Sequence, residues 1–364
     1  MKILLLANHF NTGGITSYLL TLTRAFIGQG HEVIVASSSG NMVAELKASG
    51  ARHIDLAFNV KCEVHPRLLF LVPRLAAVVR EERIDVIHAQ TRVTQVCAEL
   101  VSRLCRVACI STCHGFFRFH LGRNLWPAWG TKVIAISAPV KQHLRRDLYV
   151  PEEMIALIPN GVDLARFVPL EPEERSVLRG RWGLKDEPAI GIVARLSDVK
   201  GHQFLVRAMP EILARFPNAK CLVFGSGPME DELKNLVHEN GLDDNVLFYP
   251  VINRTCEVLP LLDVFVMPSL QEGLGLSVLE AAAMGLPAVV SRVGGLPGVV
   301  LEGETGWLVE PQDVAGLARA IISLLADPAG ARKMGAQARE FVARNFAASV
   351  MAEHTMAVYK SAAG

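Results

Sequence analysis

The chain has 364 residues, 51 % of them hydrophobic, and its 37 Lys and Arg residues nearly balance its 36 Asp and Glu residues. This length exceeds what one hydrophobic core usually fills, so we expect two domains. The near-neutral charge, without a recognition motif, argues against a nucleic-acid partner, and no apolar run reaches the about 18 uncharged residues that a membrane-spanning helix needs.

Strands and helices alternate along the first half of the chain. Apolar runs predict strands at residues 2–7, 31–36, 53–56, 85–88, 107–112, 132–135 and 155–158. The segments between them predict helices at 13–27, 68–80, 93–104 and 138–146. Residues 159–169 have turn chemistry and are predicted to link two domains, 1–168 and 169–345.

The second half repeats the alternation. Strands are predicted at residues 189–194, 219–224, 246–248, 264–267 and 288–290. Helices are predicted at 202–215, 229–240, 276–284, 313–325 and 329–344, followed by an amphipathic segment at 346–359. The pattern indicates an α/β protein with two doubly wound, Rossmann-like parallel sheets, whose ligands should bind at the carboxyl ends of the strands.

The junction between strand 264–267 and helix 276–284 is the most informative part of the sequence. Glu272 and Glu280 flank Gly273 and Gly275 there. A helix N-terminus with nearby glycines can hold phosphates on backbone N–H groups, while carboxylates accept hydrogen bonds from sugar hydroxyls. A nucleotide sugar carries both groups. The spacing alone leaves open that Glu280 is only a favourable charge in a first helical turn and Glu272 only a loop residue.

Two strand ends in the first half carry further candidates. Gly13 and Gly14 follow the first strand and either let a phosphate or an acceptor approach the backbone or form only a tight turn. They lack the third glycine of the dinucleotide fingerprint. His114 follows strand 107–112, where an imidazole can bind a ligand hydroxyl or transfer a proton, although a lone histidine is more often structural.

Two cations lie between strand 189–194 and helix 202–215. Arg195 and Lys200, close to a helix N-terminus, suit a diphosphate whose charge must be neutralised as it leaves. Gly225 and Gly227 follow the next strand and would let a nucleotide lie against the backbone, or serve only as a turn. No Asp-x-Asp motif follows a strand, so no metal ion is predicted at this diphosphate.

Cysteine and charge distributions suggest a compartment and a surface partner. Seven scattered cysteines do not form a disulfide framework and favour a reducing cytoplasm. Residues 1–163 carry a net charge of +6 and the remainder −5. Segment 67–83, with four interspersed arginines, and the aromatic and basic stretch 116–123 either contact an anionic acceptor or the inner face of the cytoplasmic membrane peripherally, or form ordinary solvated faces.

Taken together, the motifs resemble those of the retaining glycosyltransferases of the GT4 family, glycosyl transferases group 1. The ordered set covers nearly the whole chain and comprises Gly13-Gly14, Asp85-Val-Ile-His88, His114-Gly115, Ile136-Ser-Ala138, Ile158-Pro-Asn-Gly-Val-Asp163, Arg195-Leu-Ser-Asp-Val-Lys-Gly201, Phe224-Gly-Ser-Gly-Pro228, Met267-Pro-Ser269, Glu272-x7-Glu280, Val293-Gly-Gly295 and Gly306-Trp-Leu-Val309. Such an ordered set is far more specific than any single motif.

The resemblance implies the GT-B fold, in which two doubly wound Rossmann-like domains face a central cleft and the C-terminal helix, here residues 346–364, crosses back to the first domain. It implies that domain 1–168 binds the acceptor and domain 169–345 binds the nucleotide-sugar donor. The donor is a co-substrate, and neither a cofactor nor a metal ion is implied.

The resemblance also assigns roles to residues. Arg195 and Lys200 bind the donor diphosphate, Glu280 binds the ribose hydroxyls, and Glu272 with the backbone after it binds the donor sugar. Gly14 approaches the diphosphate from the opposite domain, and His114 contacts the transferred sugar. The predicted catalytic residues are His114, Arg195, Lys200 and Glu272, and the predicted donor-binding residues are Gly14, Gly225, Gly227, Gly273, Leu274, Gly275, Leu276 and Glu280.

The expected activity is that of a hexosyl-type transferase, class EC 2.4, with a UDP-sugar donor by family habit. The expected acceptor is a glycan or a lipid-linked glycan of cell-surface polysaccharide or lipopolysaccharide synthesis. Leu274 stands where the family usually has Phe, and Gln90 where a second His is common, which leaves sugar and acceptor open. The alternatives are a GT-B epimerase, which needs acid and base carboxylates at the anomeric centre, and a non-catalytic nucleotide-sugar-binding protein.

Overall fold

The computed structural model describes residues 1–58, 60, 65–117, 123 and 126–363. The chain forms two compact units. The first comprises Met1–Gly161 and Ala348–Gly364, and the second comprises Val162–Ala347. Each unit is built around one parallel β-sheet with helices packed on its faces.

The strands and helices are numbered here in chain order. The strands are β1 Lys2–His9, β2 Glu32–Ser38, β3 Arg52–Asp55, β4 Val86–Ala89, β5 Ala108–Cys113, β6 Lys132–Ala135, β7 Ile155–Leu157, β8 Ala189–Val193, β9 Lys220–Phe224, β10 Val246–Tyr249, β11 Val264–Met267, β12 Ala288–Ser291 and β13 Gly306–Val309. The helices are α1 Gly14–Gly28, α2 Val43–Ala48, α3 Leu68–Glu81, α4 Arg92–Cys105, α5 Ala138–Arg146, α6 Pro172–Arg181, α7 His202–Arg215, α8 Glu230–Glu239, α9 Leu276–Ala283, α10 Val314–Ala326, α11 Pro328–Asn345 and α12 Ala348–Ala363.

Both sheets are doubly wound. The first has the strand order β3-β2-β1-β4-β5-β6-β7, and the second has the order β10-β9-β8-β11-β12-β13. Each order reverses once, between β1 and β4 in the first sheet and between β8 and β11 in the second. Ligands of such sheets bind beyond the carboxyl ends of the strands at this reversal. The predicted class, two Rossmann-like α/β domains, is confirmed.

The central strands are continuous apolar runs because helices cover both faces of each sheet. In β1 the residues Ile3 to Leu6 are fully buried, with Ile3 and Leu5 in one hydrophobic cluster and Leu4 and Leu6 in another. Burial on both faces leaves these strands no polar side. Their parallel pairing, with Ile3 opposite Val33 of β2 and Val86 of β4, aligns their carboxyl ends.

The last helix, α12, packs on the first unit. Its Met351, Ala352, Met356 and Tyr359 are buried in the same cluster as α1. The Tyr359 ring lies 5.6 Å from that of Phe26 on α1. The expectation that the final helix returns to the first domain is therefore confirmed.

Most predicted elements occur within one or two residues of their predicted positions, and β6, α5, α7 and β11 coincide with them. Among the helices and strands numbered above, three were not predicted. Helix α2 has only six residues, α6 is mostly polar, and β13 begins with a glycine. Within the predicted aromatic and basic stretch 116–123, residues 118–122 lie outside the described part of the chain.

Among the described residues, no single helix is both long and apolar enough to cross a bilayer, although α10 and α11 together, bent by 103°, pass that test of length and composition. The apolar side chains of both helices lie in the core of the second unit. The six described cysteines are free, and burial raises the pKa of Cys109 and of Cys113 to about 12.

Candidate active site

The loops at the carboxyl end of the second sheet are fastened to one another through glycines. Gly201 lies so close to the loop after β11 that a Cβ atom there would overlap the carbonyl oxygen of Pro268. Leu270 N–H donates to the Val199 carbonyl at 2.8 Å, which ties the same two loops together. The turn that carries Lys200 is therefore fixed against the loop that carries Glu272.

The remaining glycines in this region act in the same way. Gly294, at φ +51°, and Gly295 pack on the backbone of Glu272 and Gly273, and Gly295 N–H donates to the Glu272 carbonyl at 3.1 Å. Gly225 packs on the carbonyl of Ala194. A Cβ at any of these glycines would overlap backbone, so their first role is to let the loops approach closely.

Gly227 extends this packing to the loop that begins at Arg195. Because Gly227 has no Cβ, the carbonyl group of Leu196 can pack against it. The N–H group of Leu196 also donates a hydrogen bond to the Ser226 carbonyl at 3.0 Å. The two predicted donor-binding glycines, Gly225 and Gly227, thus hold the Arg195 loop against the loop after β9. This packing explains both glycines without a ligand.

Lys200 and Glu272 form an ion pair at this edge. Lys200 Nζ lies 2.5 Å from Glu272 Oε2, and the two side chains retain 23 % and 13 % of their exposure. This pair, between residues 72 positions apart, presents one cation and one carboxylate to a partly enclosed surface. Arg195 is exposed on the loop after β8 and makes no ion pair or hydrogen bond within the described residues.

Helix α9 begins beside Glu272 with an uncapped N-terminus. Gly275 occupies the N-cap position at φ +97°, no side chain caps the helix, and no acidic residue lies in its first turn. The first N–H groups of a helix carry a partial positive charge and point along its axis, so this end can bind an anion. Leu274 is 4 % exposed, so only its backbone could serve a ligand, whereas Leu276 is half-buried.

Glu280 is the fifth residue of α9 and is 8 % exposed. Thr255 Oγ1 donates a hydrogen bond to its Oε2 at 2.8 Å. Burial raises the pKa of Glu280 to about 7, although the Thr255 hydrogen bond opposes that rise. The alternative that Glu280 is only a favourable charge in a first helical turn is therefore wrong, because the residue lies beyond that turn and is buried.

Two further buried polar residues lie at these strand ends: Ser269, which belongs to the Met267-Pro-Ser269 motif, and His202, which the sequence did not single out. His202, the first residue of α7, is 1 % exposed. Among the described residues, neither of its ring nitrogens has a hydrogen-bond partner, and the buried Ser269 Oγ has none either. Burial lowers the pKa of His202 to about 4, which keeps the ring neutral next to Lys200. Only its position after Lys200-Gly201 could have drawn attention to it.

The candidates in the first unit lie at the carboxyl ends of β1 and β5. A Cβ atom at Gly13 or at Gly14 would meet no atom of the described residues within 4 Å, so the described part of the chain leaves the start of α1 open. His114 follows β5, retains part of its exposure, and forms a 2.8 Å hydrogen bond between its Nε2 and Gln90 Oε1. Burial of most of the residue lowers the pKa of the His114 imidazole to about 3.

A buried hydrogen-bonded chain lies behind His114. Tyr359 OH of α12 is 2.6 Å from His88 Nδ1, and His88 Nε2 is 2.7 Å from Thr112 Oγ1. Tyr18 OH lies 3.4 Å from the same threonine oxygen, and its ring stands edge-on to His114 at 5.0 Å. The C-terminal helix is thereby joined to the strands whose ends carry Gln90 and His114.

The structure thus brings Lys200, Glu272, the start of α9 and Glu280 together in the second unit, and His114 with Gln90 in the first. Within the part of the chain that is described, no group of three or more His, Cys, Asp or Glu side chains could hold a metal ion. The second unit offers positive charge, a buried carboxyl group at Glu280 and a partly buried one at Glu272, which suit an anion joined to a polyol.

Two family models and several relatives match the chain. Glycosyltransferase Family 4 matches residues 12–166, and Glycosyl transferases group 1 matches residues 174–341. A GDP-mannose-dependent alpha-(1-6)-phosphatidylinositol monomannoside mannosyltransferase of Mycolicibacterium smegmatis is 30 % identical over 374 residues, covering 94 % of each chain. The N-acetyl-alpha-D-glucosaminyl L-malate synthase of Bacillus anthracis is 29 % identical over 305 residues, 81 % of this chain and 79 % of the relative.

Solved structures share the fold. Anabaena HepE in complex with UDP and glucose matches with a TM-score of 0.88 and 21 % identity over 99 % of this chain and 100 % of its own. WaaG, a glycosyltransferase involved in lipopolysaccharide biosynthesis, matches with a TM-score of 0.75 and 15 % identity over all of both chains. The resemblance carried by the motifs is confirmed: the chain belongs to the glycosyl transferases group 1, the GT4 family, and is a nucleotide-sugar glycosyltransferase of class EC 2.4 with the GT-B fold.

Proposed function

We propose that this chain is a retaining, metal-independent glycosyltransferase that moves a hexosyl-type sugar from a nucleoside diphosphate to a hydroxyl group of a glycan or lipid-linked acceptor. Unit Val162–Ala347 binds the donor, and the first unit binds the acceptor. Cell-surface polysaccharide or lipopolysaccharide synthesis is the process we favour. Family membership supports the donor class, and the residues below support the finer assignment.

One observation carries the proposal: the Lys200–Glu272 ion pair stands beside the uncapped N-terminus of α9. A diphosphate placed there would meet an ammonium group and helical N–H groups, with Arg195 exposed on the neighbouring loop. Glu280, further along the same helix, would accept hydrogen bonds from the ribose hydroxyls. Glu272, with the backbone of Gly273 to Leu276, would bind the donor sugar.

The leaving diphosphate gains negative charge as the bond between the anomeric carbon and the phosphate oxygen breaks. Lys200, Arg195 and the α9 N–H groups would stabilise that charge by pre-oriented electrostatics, which lowers the barrier without a metal ion. The acceptor oxygen forms its bond on the same face of the sugar. The acceptor's proton passes to the departing phosphate oxygen, so the balance of atoms requires no carboxylate nucleophile.

We propose uridine as the donor nucleoside, because UDP-sugars are common donors in the family. Guanosine is the second candidate, because the M. smegmatis mannosyltransferase, 30 % identical to this chain, is GDP-mannose-dependent. A thermal-shift screen of UDP-, GDP- and ADP-sugars would identify the donor, and only ligands that bind the folded protein raise its melting temperature.

A lipid-linked acceptor would bring the enzyme to a membrane surface. On α3 and the turn before it, Arg67, Phe70 and Arg74 share one helical face, and Phe70 is 73 % exposed. Vesicles containing phosphatidylglycerol should bind the protein less tightly as the salt concentration rises. Arg67→Glu with Arg74→Glu should weaken binding, whereas the control Arg332→Glu with Lys333→Glu should not. Salt-insensitive binding, or none, would identify the face as merely solvated.

The decisive experiment follows the best donor from that screen with a panel of glycan and lipid-linked acceptors. The anomeric coupling in the proton NMR spectrum of the product should show the same configuration as the donor, and the rate should persist in excess EDTA. An inverted product or complete loss of transfer in EDTA would contradict the proposal. Conversion of the donor sugar without any acceptor would instead identify the epimerase alternative.

A further inference from the structure

Gln90 and His114 occupy adjacent strand ends at the reversal point of the first sheet. Gln90 follows β4, is 3 % exposed, and its N–H donates to the Leu6 carbonyl of β1 at 3.1 Å. The backbone of Gln90 is therefore anchored to the central strand. Its amide side chain reaches His114 at the end of β5, where Oε1 lies 2.8 Å from Nε2.

The orientation of the Gln90 amide determines which histidine nitrogen bears the proton. Gln90 Nε2 donates a long hydrogen bond, 3.5 Å, to the His88 carbonyl oxygen. Reversing the amide would turn an oxygen toward that carbonyl and remove this donor. Because Oε1 can only accept, His114 Nε2 must donate, and a neutral ring then leaves Nδ1 without a proton.

The surroundings of His114 keep the ring neutral. Its close neighbours are the edge-on ring of Tyr18 and, further back, His88, which is buried and also neutral because burial lowers its pKa to about 3. Among the described residues, no protein group forms a hydrogen bond with His114 Nδ1, and the residue is partly exposed. Nδ1 is thus an acceptor open to a ligand.

We propose that Gln90 is a positioning residue that holds His114 in its Nε2–H tautomer, so that Nδ1 accepts a hydrogen bond from a hydroxyl group of the transferred sugar. The sugar contact rests on the proposed function, whereas the tautomer does not. The inference gives a use to Gln90, which differs from the histidine common at this position. An amide does not change its charge near neutral pH, so it fixes the tautomer throughout that range.

The tautomer can be read directly from the ¹⁵N NMR spectrum of protein with labelled histidine, with the His114 signals assigned by their loss in His114→Gln. Protonated and unprotonated ring nitrogens have well-separated shifts, so the wild-type spectrum should show a protonated Nε2 and a bare Nδ1 at pH 7. Gln90→Met removes the acceptor at nearly constant volume and should yield a mixture of tautomers. The control Gln95→Met removes a different buried amide, which lies on α4, and should leave the His114 signals unchanged.

Kinetics with monodeoxy donors test the sugar contact. One donor of the series should lose at least about tenfold in kcat/KM with the wild-type enzyme, because an acceptor is left unpaired. With Gln90→Met the same deletion should cost less than about threefold, since the two changes remove one interaction. A wild-type proton on Nδ1, an unchanged tautomer in Gln90→Met, or equal deoxy penalties in both enzymes would overturn the inference even while sugar transfer continues. Absence of any transfer by the wild type would instead defeat the proposed function, and the NMR result would stand.

Discussion

The strand ends of the two units use glycine for different purposes. In the second unit Gly201, Gly225 and Gly294 each face a carbonyl oxygen of another loop, so a methyl group there would overlap backbone. In the first unit a Cβ atom at Gly13 or Gly14 would meet none of the described atoms within 4 Å. The motif glycines therefore serve different physical purposes. Those of the second unit let loops pack closely, and those of the first leave the start of α1 uncovered by side chains.

The polar groups of the two candidate sites differ in charge. The second unit presents a charged pair, Lys200 with Glu272, and a carboxyl group at Glu280 whose pKa is raised by burial. The first unit presents a neutral imidazole, His114, held by the uncharged Gln90. The difference predicts that the second unit neutralises charge on a ligand and that the first contributes hydrogen bonds without charge.

The largest expected effect is on folding. Gly294→Ala should lower the free energy of unfolding by about 3 kcal/mol, because the methyl group meets the Glu272 backbone at a φ of +51°. Denaturant unfolding would measure the change. The control Gly298→Ala, at a position with no atom within 4 Å, should have a much smaller effect. Equal stability of the two variants would contradict the packing role of Gly294.

A comparable effect should depend on pH. The folded-state pKa of Glu280, about 7, lies above its ordinary value of 4.5, so the folded chain binds the proton more tightly than the unfolded chain. The contribution of this group to stability is fully present below about pH 4.5 and declines as the pH rises to about 7, by about 3 kcal/mol.

Glu280→Gln should remove that decline, so the variant should be more stable than the wild type at pH 8 and similar to it near pH 4.5. Unfolding by denaturant across this range would show the difference. Glu239→Gln, at an exposed glutamate of α8, is the matched control and should follow the wild-type profile. A parallel profile for Glu280→Gln would show that the group titrates normally in the folded protein.

Two proposed donor-site residues, Lys200 and Glu280, predict a smaller effect, this time on catalysis. Lys200→Ala and Glu280→Ala should each reduce sugar transfer at least about tenfold, or about 1.4 kcal/mol of barrier, through lost diphosphate and ribose contacts. Lys234→Ala removes a lysine paired with Glu230 on the exposed surface of α8 and should leave the rate unchanged. Near-normal steady-state rates for both Lys200→Ala and Glu280→Ala would defeat the donor-site assignment.

The smallest effect on stability is expected at the open glycine. Gly14→Ala should leave the free energy of unfolding unchanged or raise it by up to about 1 kcal/mol, because alanine favours the helix that begins there. The added methyl group should nonetheless lower kcat/KM for the donor several-fold if the diphosphate approaches this backbone. Thermal unfolding and initial rates together test both statements, and an unchanged rate would leave Gly14 as a simple turn residue.

Contacts between distant residues account for most of what was not predicted. The Thr255 hydrogen bond to Glu280 joins residues 25 positions apart, and the one between His88 and Tyr359 spans 271 positions. No local pattern encodes such pairs. The glycines around Glu272 could be placed by sequence, but their packing partners, the carbonyls of other loops, could not.

The sequence by itself determined the α/β class, the order of nearly all strands and helices, and the family, because apolar periodicity and ordered motifs are local signals. Only the tertiary structure decided that Glu280 is buried beyond the first turn of its helix, that Lys200 pairs with Glu272, and that Gln90 holds His114. The physical reason is that burial and pairing depend on which loops each sheet brings to the same edge. The spatial order of strands within a sheet, unlike their positions along the chain, is a property of the whole fold.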